Sequence, residues 1–331
     1  MTTNFPDDAT LCAALELAGR APSIHNTQPW EWRVGAHSLN LYSRLDLRLP
    51  HTDPDCRDLI VSCGAALHHA TVALAALGWR TTVHRIPNPH DPEHLAAVEV
   101  HRGLPTEADI AMAAAIPRRR TDRRIYSSWP VAMGDIALMG ARAARLGVTM
   151  RRIETTDTFV ALLEQAVARH STDTGYVDEL MAWTGRYAAT EGVPAQNVPL
   201  IDGAAVVPGR IFFESTLDQP ADAPAAEDNG VLLALGTADD DIGCQLRAGE
   251  AASTVMLTAT VQGLASCAVS EVLEIADTRE AVRGDVFDGE QFPQIMLRVG
   301  WAPVNADPLP ATPRRPLTDG LHRLDGSAFL V

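Results

Sequence analysis

The chain has 331 residues, enough for two domains or one large one, and with aromatics at only 5 % its core has to be built mainly from Ala, Leu and Val. All 27 basic residues are arginine against 42 acidic ones, and the net charge of −15 disfavours nucleic acid and anionic membranes as partners, since both are polyanions. Five cysteines, Cys12, Cys56, Cys63, Cys244 and Cys267, form no C-x-x-C pair, so neither a disulfide framework nor a zinc site is expected and a reducing cytoplasm fits.

Taken in chain order, the acidic stretch Met1 to Thr10 has no apolar run of the signal-peptide kind, and Asp7 or Asp8 can cap a helix reaching about Leu17, stopped by Gly19. Ala21 to Trp30 follows, with prolines at 22 and 29 that exclude regular helix or a central strand. Between them Ser23, His25, Asn26, Thr27 and Gln28 put donors and acceptors on a stiff loop, suited to a planar heterocycle or to a simple Asx turn. Trp30 to Val34 and Leu39 to Ser43 read as a hairpin around Gly35 to Ser38. Asp55 to Leu77 is a long Ala-rich helix of a buried kind, then come strands at Trp79 to Ile86 and Ala97 to His101 and a helix at Thr106 to Ile116. His68 and His69 in that apolar helix read as core or interface residues.

Pro117 and the arginines of Arg118 to Arg124 mark a composition break, which divides the chain into residues 1–116 and 117–331. Beyond it a helix Ala132 to Leu146, a Gly147 stop and a strand Val148 to Ile153 echo the end of the first half. A second long Ala-rich helix, Gln245 to Val261, matches Asp55 to Leu77 in length and composition. Such a weak repeat is what two fused, related halves would leave. Residues 192–228 are rich in proline and small residues and too long for an ordinary connection, so a lid or arm is expected there. An apolar strand at Pro293 to Val299 and the pair Arg314-Arg315 close the chain.

Five arginines within Arg118 to Arg124 of an acidic protein suggest either a solvated basic turn or a phosphate site, because guanidinium forks match phosphate oxygens. No Walker, G-x-S-x-G or Rossmann G-x-G-x-x-G signature is present, and the histidines show no metal-binding spacing.

The string A-P-S-x-x-N-x-Q-P-W from Ala21 to Trp30 resembles the flavin loop of the nitroreductase family and, with His25 and Trp32, its Acg-like subfamily of actinobacterial nitroreductase-like proteins. That resemblance implies an α+β fold, a nitroreductase-like mixed sheet flanked by helices, with two related halves fused as an intrachain pseudo-dimer. It implies FMN as cofactor. Arg119-x-Thr121-x-Arg123 looks like the family's R-x-S-x-R phosphate signature, Arg120 lies within it, and Arg314 and Arg315 stand where the family returns basic residues to the same phosphate. By the same likeness Ala268, Val269, Ser270 and Glu271 lie along the flavin ring, with a backbone N–H toward N5, and Arg247 faces the pyrimidine edge. Pro22, Ser23, Asn26 and Gln28 would reach the flavin from the other half.

The implied activity is two-electron transfer from NAD(P)H through FMN to a nitro-aromatic or quinone-type acceptor, chemistry that asks little of side-chain acids or bases. A flavin-sequestering protein with an occluded site is the alternative, which the segment 192–228 would serve as cover. One FMN site per chain, a monomer or a homodimer, and no membrane or nucleic-acid partner complete the expectations.

Overall fold

The computed structural model describes residues 5–185, 189–200, 210–219, 228–303 and 305–329. Two sheets are built around two long helices. Helix α1 (Asp8–Ala18) starts where the Asp7 carboxylate accepts from Thr10 N at 2.8 Å, and the hairpin β1 (Trp30–Val34) and β2 (Ser38–Ser43) follows the proline loop. Helix α2 (Arg57–Ala76) leads to β3 (Trp79–Arg85), β4 (His94–Arg102) and α3 (Glu107–Ala115), the last opened by a Thr106/Asp109 capping box. The second half runs through α4 (Met133–Ala144), β5 (Thr149–Ile153), α5 (Asp157–Thr172), α6 (Thr174–Trp183), β6 (Val231–Thr237), α7 (Ile242–Val261), β7 (Ala265–Val269), α8 (Ala276–Phe287) and β8 (Phe292–Gly300) to β9 (Leu321–Arg323).

The first sheet has the order β3-β4-β2-β1-β9 and is mixed, because β9 joins β1 in parallel while its other pairings are antiparallel. The second, β5-β6-β8-β7, is antiparallel throughout. Strand β9 comes from the end of the chain and completes the sheet of the first half. Elements without a reading in the sequence are α5, α6, α8, β6, β7 and β9. Strand β6 is buried at every position, so it carries a continuous apolar run and not the alternation that marks a half-exposed strand.

The two halves meet along α2 and α7. Both helices are buried nearly all round, which is the composition expected of a helix enclosed by protein. Helix α2 is long and apolar enough to cross a membrane, yet 72 % of its most apolar window is buried inside the structure. Gly64 and Gly249 sit at the crossing. A Cβ on Gly64 would come within 2.1 Å of Leu246 O, and one on Gly249 within 2.0 Å of Val61 O, so the two backbones touch.

Beyond the glycines the interface carries polar contacts. His68 places Nδ1 2.7 Å from Ser253 Oγ and Nε2 3.0 Å from Thr254 Oγ1, while His69 Nδ1 lies 2.9 Å from the same Ser253 hydroxyl. Burial, then the charge of Arg142, pushes His68 down to about 4; burial, then Arg119, also holds His69 well below the usual imidazole value. A histidine whose pKa is lower folded than unfolded contributes stability that is complete above about pH 6.5 and is lost as pH falls toward 4. The destabilisation between pH 7 and pH 5, read from denaturant midpoints, is therefore expected to be smaller in His68→Gln than in the parent chain. An unchanged difference would mean that His68 does not titrate on unfolding.

Candidate functional site

A cavity of about 260 Å³ lies where the halves meet. The first half contributes Pro22, Ser23 and His25 from the proline loop and Asp58, Val61, Ser62 and Ala65 from α2; the second contributes Thr121, Arg123, α7 through Ala252 and Met256, and Cys267 to Glu271.

The loop holds an unusual backbone: His25, Asn26 and Gln28 all have positive φ, at 42°, 57° and 52°. L-residues rarely adopt this region, so the surrounding bonds must hold it there. Gln28 N donates to Ser23 Oγ at 3.0 Å and Thr27 N to Ile24 O at 2.9 Å, while Ser62 Oγ accepts from Ile24 N at 3.1 Å and ties the loop to α2. Asn26 and Gln28 do not line the cavity. The Asn26 amide donates to Gly192 O at 3.1 Å and Pro313 O at 3.2 Å, and the Gln28 amide donates to Thr190 O at 2.9 Å and accepts from Arg315 N at 2.9 Å. Both therefore fasten the loop to later segments of the chain, although Asn26 Oδ1 is buried without a partner.

The arginine turn runs beside β7, with Asp122 N donating to Ser266 O at 3.0 Å. Its members separate. Arg118 is exposed, Arg124 is closed on Asp122 at 3.0 and 2.8 Å, and Arg120 donates to the carbonyls of Pro117 and Arg119 at 2.7 and 2.9 Å. Arg123 lines the cavity with its guanidinium 4.9 Å from the Phe212 ring, and Arg119 is buried beside Thr121 Oγ1 at 3.4 Å. Arg314 joins this group, donating to Gly19 O at 2.9 Å and to Arg20 O and Ala21 O at 3.2 Å. None of Arg119, Arg123 and Arg314 has an ion-pair partner among the described residues. Burial, then the neighbouring Arg120, pushes Arg119 down to about 10; burial, then Arg119, pushes Arg314 down to about 9. Arg315, its neighbour in sequence, points elsewhere and pairs with Glu191.

Ala268, Val269, Ser270 and Glu271 all line the cavity, at the end of β7 and the turn beyond it. Since Ser266 turns its carbonyl to Asp122, the alternation of a strand puts the Ala268 N–H on the same free edge, away from β8. Arg247 is not part of this arrangement. It is exposed on α7 and absent from the cavity wall, because the buried face of the helix is carried by its neighbours Leu246, Ala248, Gly249 and Glu250.

Several further residues were not singled out from the sequence. Arg210 donates to His25 Nε2 at 2.7 Å and to Ser270 Oγ at 3.4 Å and pairs with the buried Glu274, so it joins both halves across the cavity. Burial disfavours its charge, but Glu274 more than offsets this and holds the guanidinium above its usual value. Burial first, then Arg210, keeps His25 well below the usual range, so the imidazole is neutral, with Nε2 as acceptor. Asp58 lies in the wall behind a helix start built by Asp53, whose carboxylate accepts from Asp58 N at 3.0 Å and Leu59 N at 2.8 Å in place of a cap from Cys56. Phe212, Val198 and Leu200 complete the cover; positions 201–209 and 220–227 of the expected lid lie outside the described residues.

No family model matches the chain. It is 58 % identical over 318 residues, 96 % of its own length and 92 % of the other, to a Mycobacterium tuberculosis protein named by inference as an NAD(P)H nitroreductase. It is 34 % identical, with 94 % of each chain covered, to the M. tuberculosis protein acg, named in the same way. Among solved structures, the FMN-dependent nitroreductase NfnB from Mycobacterium smegmatis in complex with NADPH overlays with a TM-score of 0.39 at 17 % identity, covering 64 % of this chain and 97 % of that one.

Proposed function

Since this chain belongs to the nitroreductase family, and within it to the Acg-like branch, we propose that it is an FMN-binding oxidoreductase that passes two electrons from NAD(P)H to a nitro-aromatic or quinone-type acceptor. The observation that carries this reading is a set of arginines without carboxylate partners, Arg119 buried and Arg123 and Arg314 half-buried. Buried cations that face one another are unfavourable unless an anion joins them. Arg119 Nε and Ser266 Oγ, both buried without partners, are donors of the kind a phosphate ester requires, and Arg314, whose N–H groups donate to the carbonyls of Gly19, Arg20, Ala21, Thr312 and Pro313, adds positive charge beside them. The apolar wall of Val61, Ala65, Ala252, Met256 and Ile295 suits a planar ring, and the free-edge N–H of Ala268 suits an acceptor such as a ring nitrogen.

FMN held there would supply the two-electron chemistry, taking hydride from a nicotinamide and giving it to the acceptor. The protein's own part is to bind and orient. Arg119, Arg314 and Thr121 anchor the phosphate end, Arg123 lies along the chain between phosphate and ring, and the Ala268 N–H favours charge developing beside it. The lining shared by both halves excludes bulk water from one face.

A second reading, sequestration of flavin with little turnover, is favoured by one observation: Arg210 spans from His25 to Glu274, and Phe212 packs edge-on to His25 with centroids 6.3 Å apart, over the cavity. On this reading the described residues 192–200 and 210–219 of the segment 192–228 act as a lid. One experiment tests both readings. Purified protein is expected to contain one FMN per chain, released by heat, and its absorbance to bleach when NADH or NADPH is added without oxygen. A ratio near two would overturn the single site; absorbance that persists until a small strong reductant is added would establish sequestration.

A further inference from the structure

Among the described residues of the cavity wall two buried polar atoms lack a partner, Arg298 Nε and Asp58 Oδ2, and the Asp58 carboxylate is the acceptor of the two. Asp58 is 4 % exposed and lines the cavity. Its Oδ1 accepts from Arg57 Nε at 3.2 Å and from Arg57 NH2 at 3.0 Å, and Arg57 is itself locked by donating to Leu273 O at 2.8 Å. Its Oδ2 is buried and has no hydrogen-bond partner. The two Arg57 bonds hold the side chain in place, while its backbone N–H is held by Asp53 at 3.0 Å and its carbonyl accepts from Ser62 Oγ at 2.6 Å. A buried carboxylate oxygen left without a donor is expensive, so the molecule that fills the cavity has to bring an N–H or O–H to it.

We propose that Asp58 accepts the N3–H of the isoalloxazine ring and so recognises the uracil-like edge of the flavin, an assignment that rests on the FMN reading above. A phosphate cannot be the partner, since it would set anion against anion. On an oxidised isoalloxazine N1, N5 and the two carbonyl oxygens are acceptors, and N3–H is the ring's single donor. One neighbour agrees with this pattern: Arg210, in the same wall, is a donor suited to a carbonyl flanking N3, while the Ser270 hydroxyl is committed to Glu274 Oε1 at 2.7 Å. The ribityl hydroxyls are the molecule's other donors. They lie next to the phosphate, which the arginine turn holds, and Thr121 and Arg123 of that turn stand nearest to them. The edge that would meet a cation at Arg247 in the sequence reading therefore meets a carboxylate neutralised by Arg57.

The test uses the flavin-free protein, FMN and 3-methyl-FMN, in which the N3 hydrogen is replaced. The parent chain is expected to bind 3-methyl-FMN roughly tenfold to a hundredfold more weakly than FMN, and in Asp58→Ala the two affinities are expected to converge. Because a methyl group also adds bulk, a second measurement follows deprotonation of N3 in the bound flavin by its absorbance at alkaline pH. A carboxylate acceptor raises the pH of that transition above the value for free FMN, and Asp58→Asn brings it back. Equal affinities in the parent chain, or a transition unmoved by Asp58→Asn, would overturn the assignment while leaving FMN as cofactor. Failure of FMN itself to bind would overturn the cofactor reading first.

Discussion

Gly64→Ala, the smallest change that adds a Cβ, is expected to destabilise the protein by about 3 kcal/mol or more, and Gly249→Ala to do the same. The reason is that each new methyl group would meet backbone and not a side chain: Leu246 O at 2.1 Å in one case, Val61 O at 2.0 Å in the other. No rotamer change can make room, so α2 and α7 have to part. These are the helices on which the two halves meet, and the same turns carry Val61, Ala65, Ala252 and Met256 of the cavity wall. Loss of flavin affinity should therefore accompany the fall in melting temperature. Gly284→Ala is the control, since a Cβ there meets nothing within 4 Å and replaces a helical glycine; it is expected to be neutral or stabilising by roughly 0.5 to 1 kcal/mol. Similar stabilities for Gly64→Ala and Gly284→Ala would show that the helix crossing tolerates more separation than its geometry allows.

How far the sequence revealed this site depends on how local each signal is. The loop from Ala21 to Trp30 is legible because its stiffness and its donors lie within ten residues, and the structure does place Pro22, Ser23 and His25 at the cavity. Helices α1, α2, α3, α4 and α7 were readable from caps, glycine stops and apolar composition, with ends displaced by a few residues. Strand β9 is three residues long and takes its place from pairing with β1, nearly three hundred positions earlier, so no local pattern announces it. The partnership of Arg210 with His25 and Glu274 is of the same long-range kind, and Asp58 reads in sequence as an ordinary first-turn helix acid. Arg314 and Arg315 illustrate the limit most sharply. Adjacent residues of one type look interchangeable, yet one enters a group of arginines without carboxylate partners and the other leaves it for Glu191.

That divergence sets the most demanding test of the phosphate site. Arg119→Ala combined with Arg314→Ala is expected to weaken FMN binding on the order of a hundredfold or more, since each charge-assisted contact contributes about 1.5 to 3 kcal/mol. Either change alone should weaken binding without abolishing it, because Thr121, Arg123 and the remaining arginine still face the ligand. The flavin-free fold should tolerate Arg119→Ala well. Burial disfavours both guanidinium charges, and removing one relieves repulsion on the other, so Arg119→Ala should be no less stable without FMN than the parent chain except for lost packing of its stem, whereas Arg314→Ala also loses hydrogen bonds to Gly19 O, Arg20 O and Ala21 O. This opposite behaviour separates a ligand site from a structural one: a stabilising arginine costs stability when removed, whereas one held for an anion costs affinity. Arg315→Ala supplies the comparison. It removes the pair with Glu191 and should perturb the 189–192 segment while leaving the arginine group intact. Affinity is to be measured by quenching of FMN fluorescence on titrating the flavin-free proteins, and stability by denaturant unfolding of the same preparations. If Arg315→Ala lost more FMN affinity than the Arg119→Ala/Arg314→Ala double variant, the phosphate would belong with Arg315 and the arginine group would need another anion.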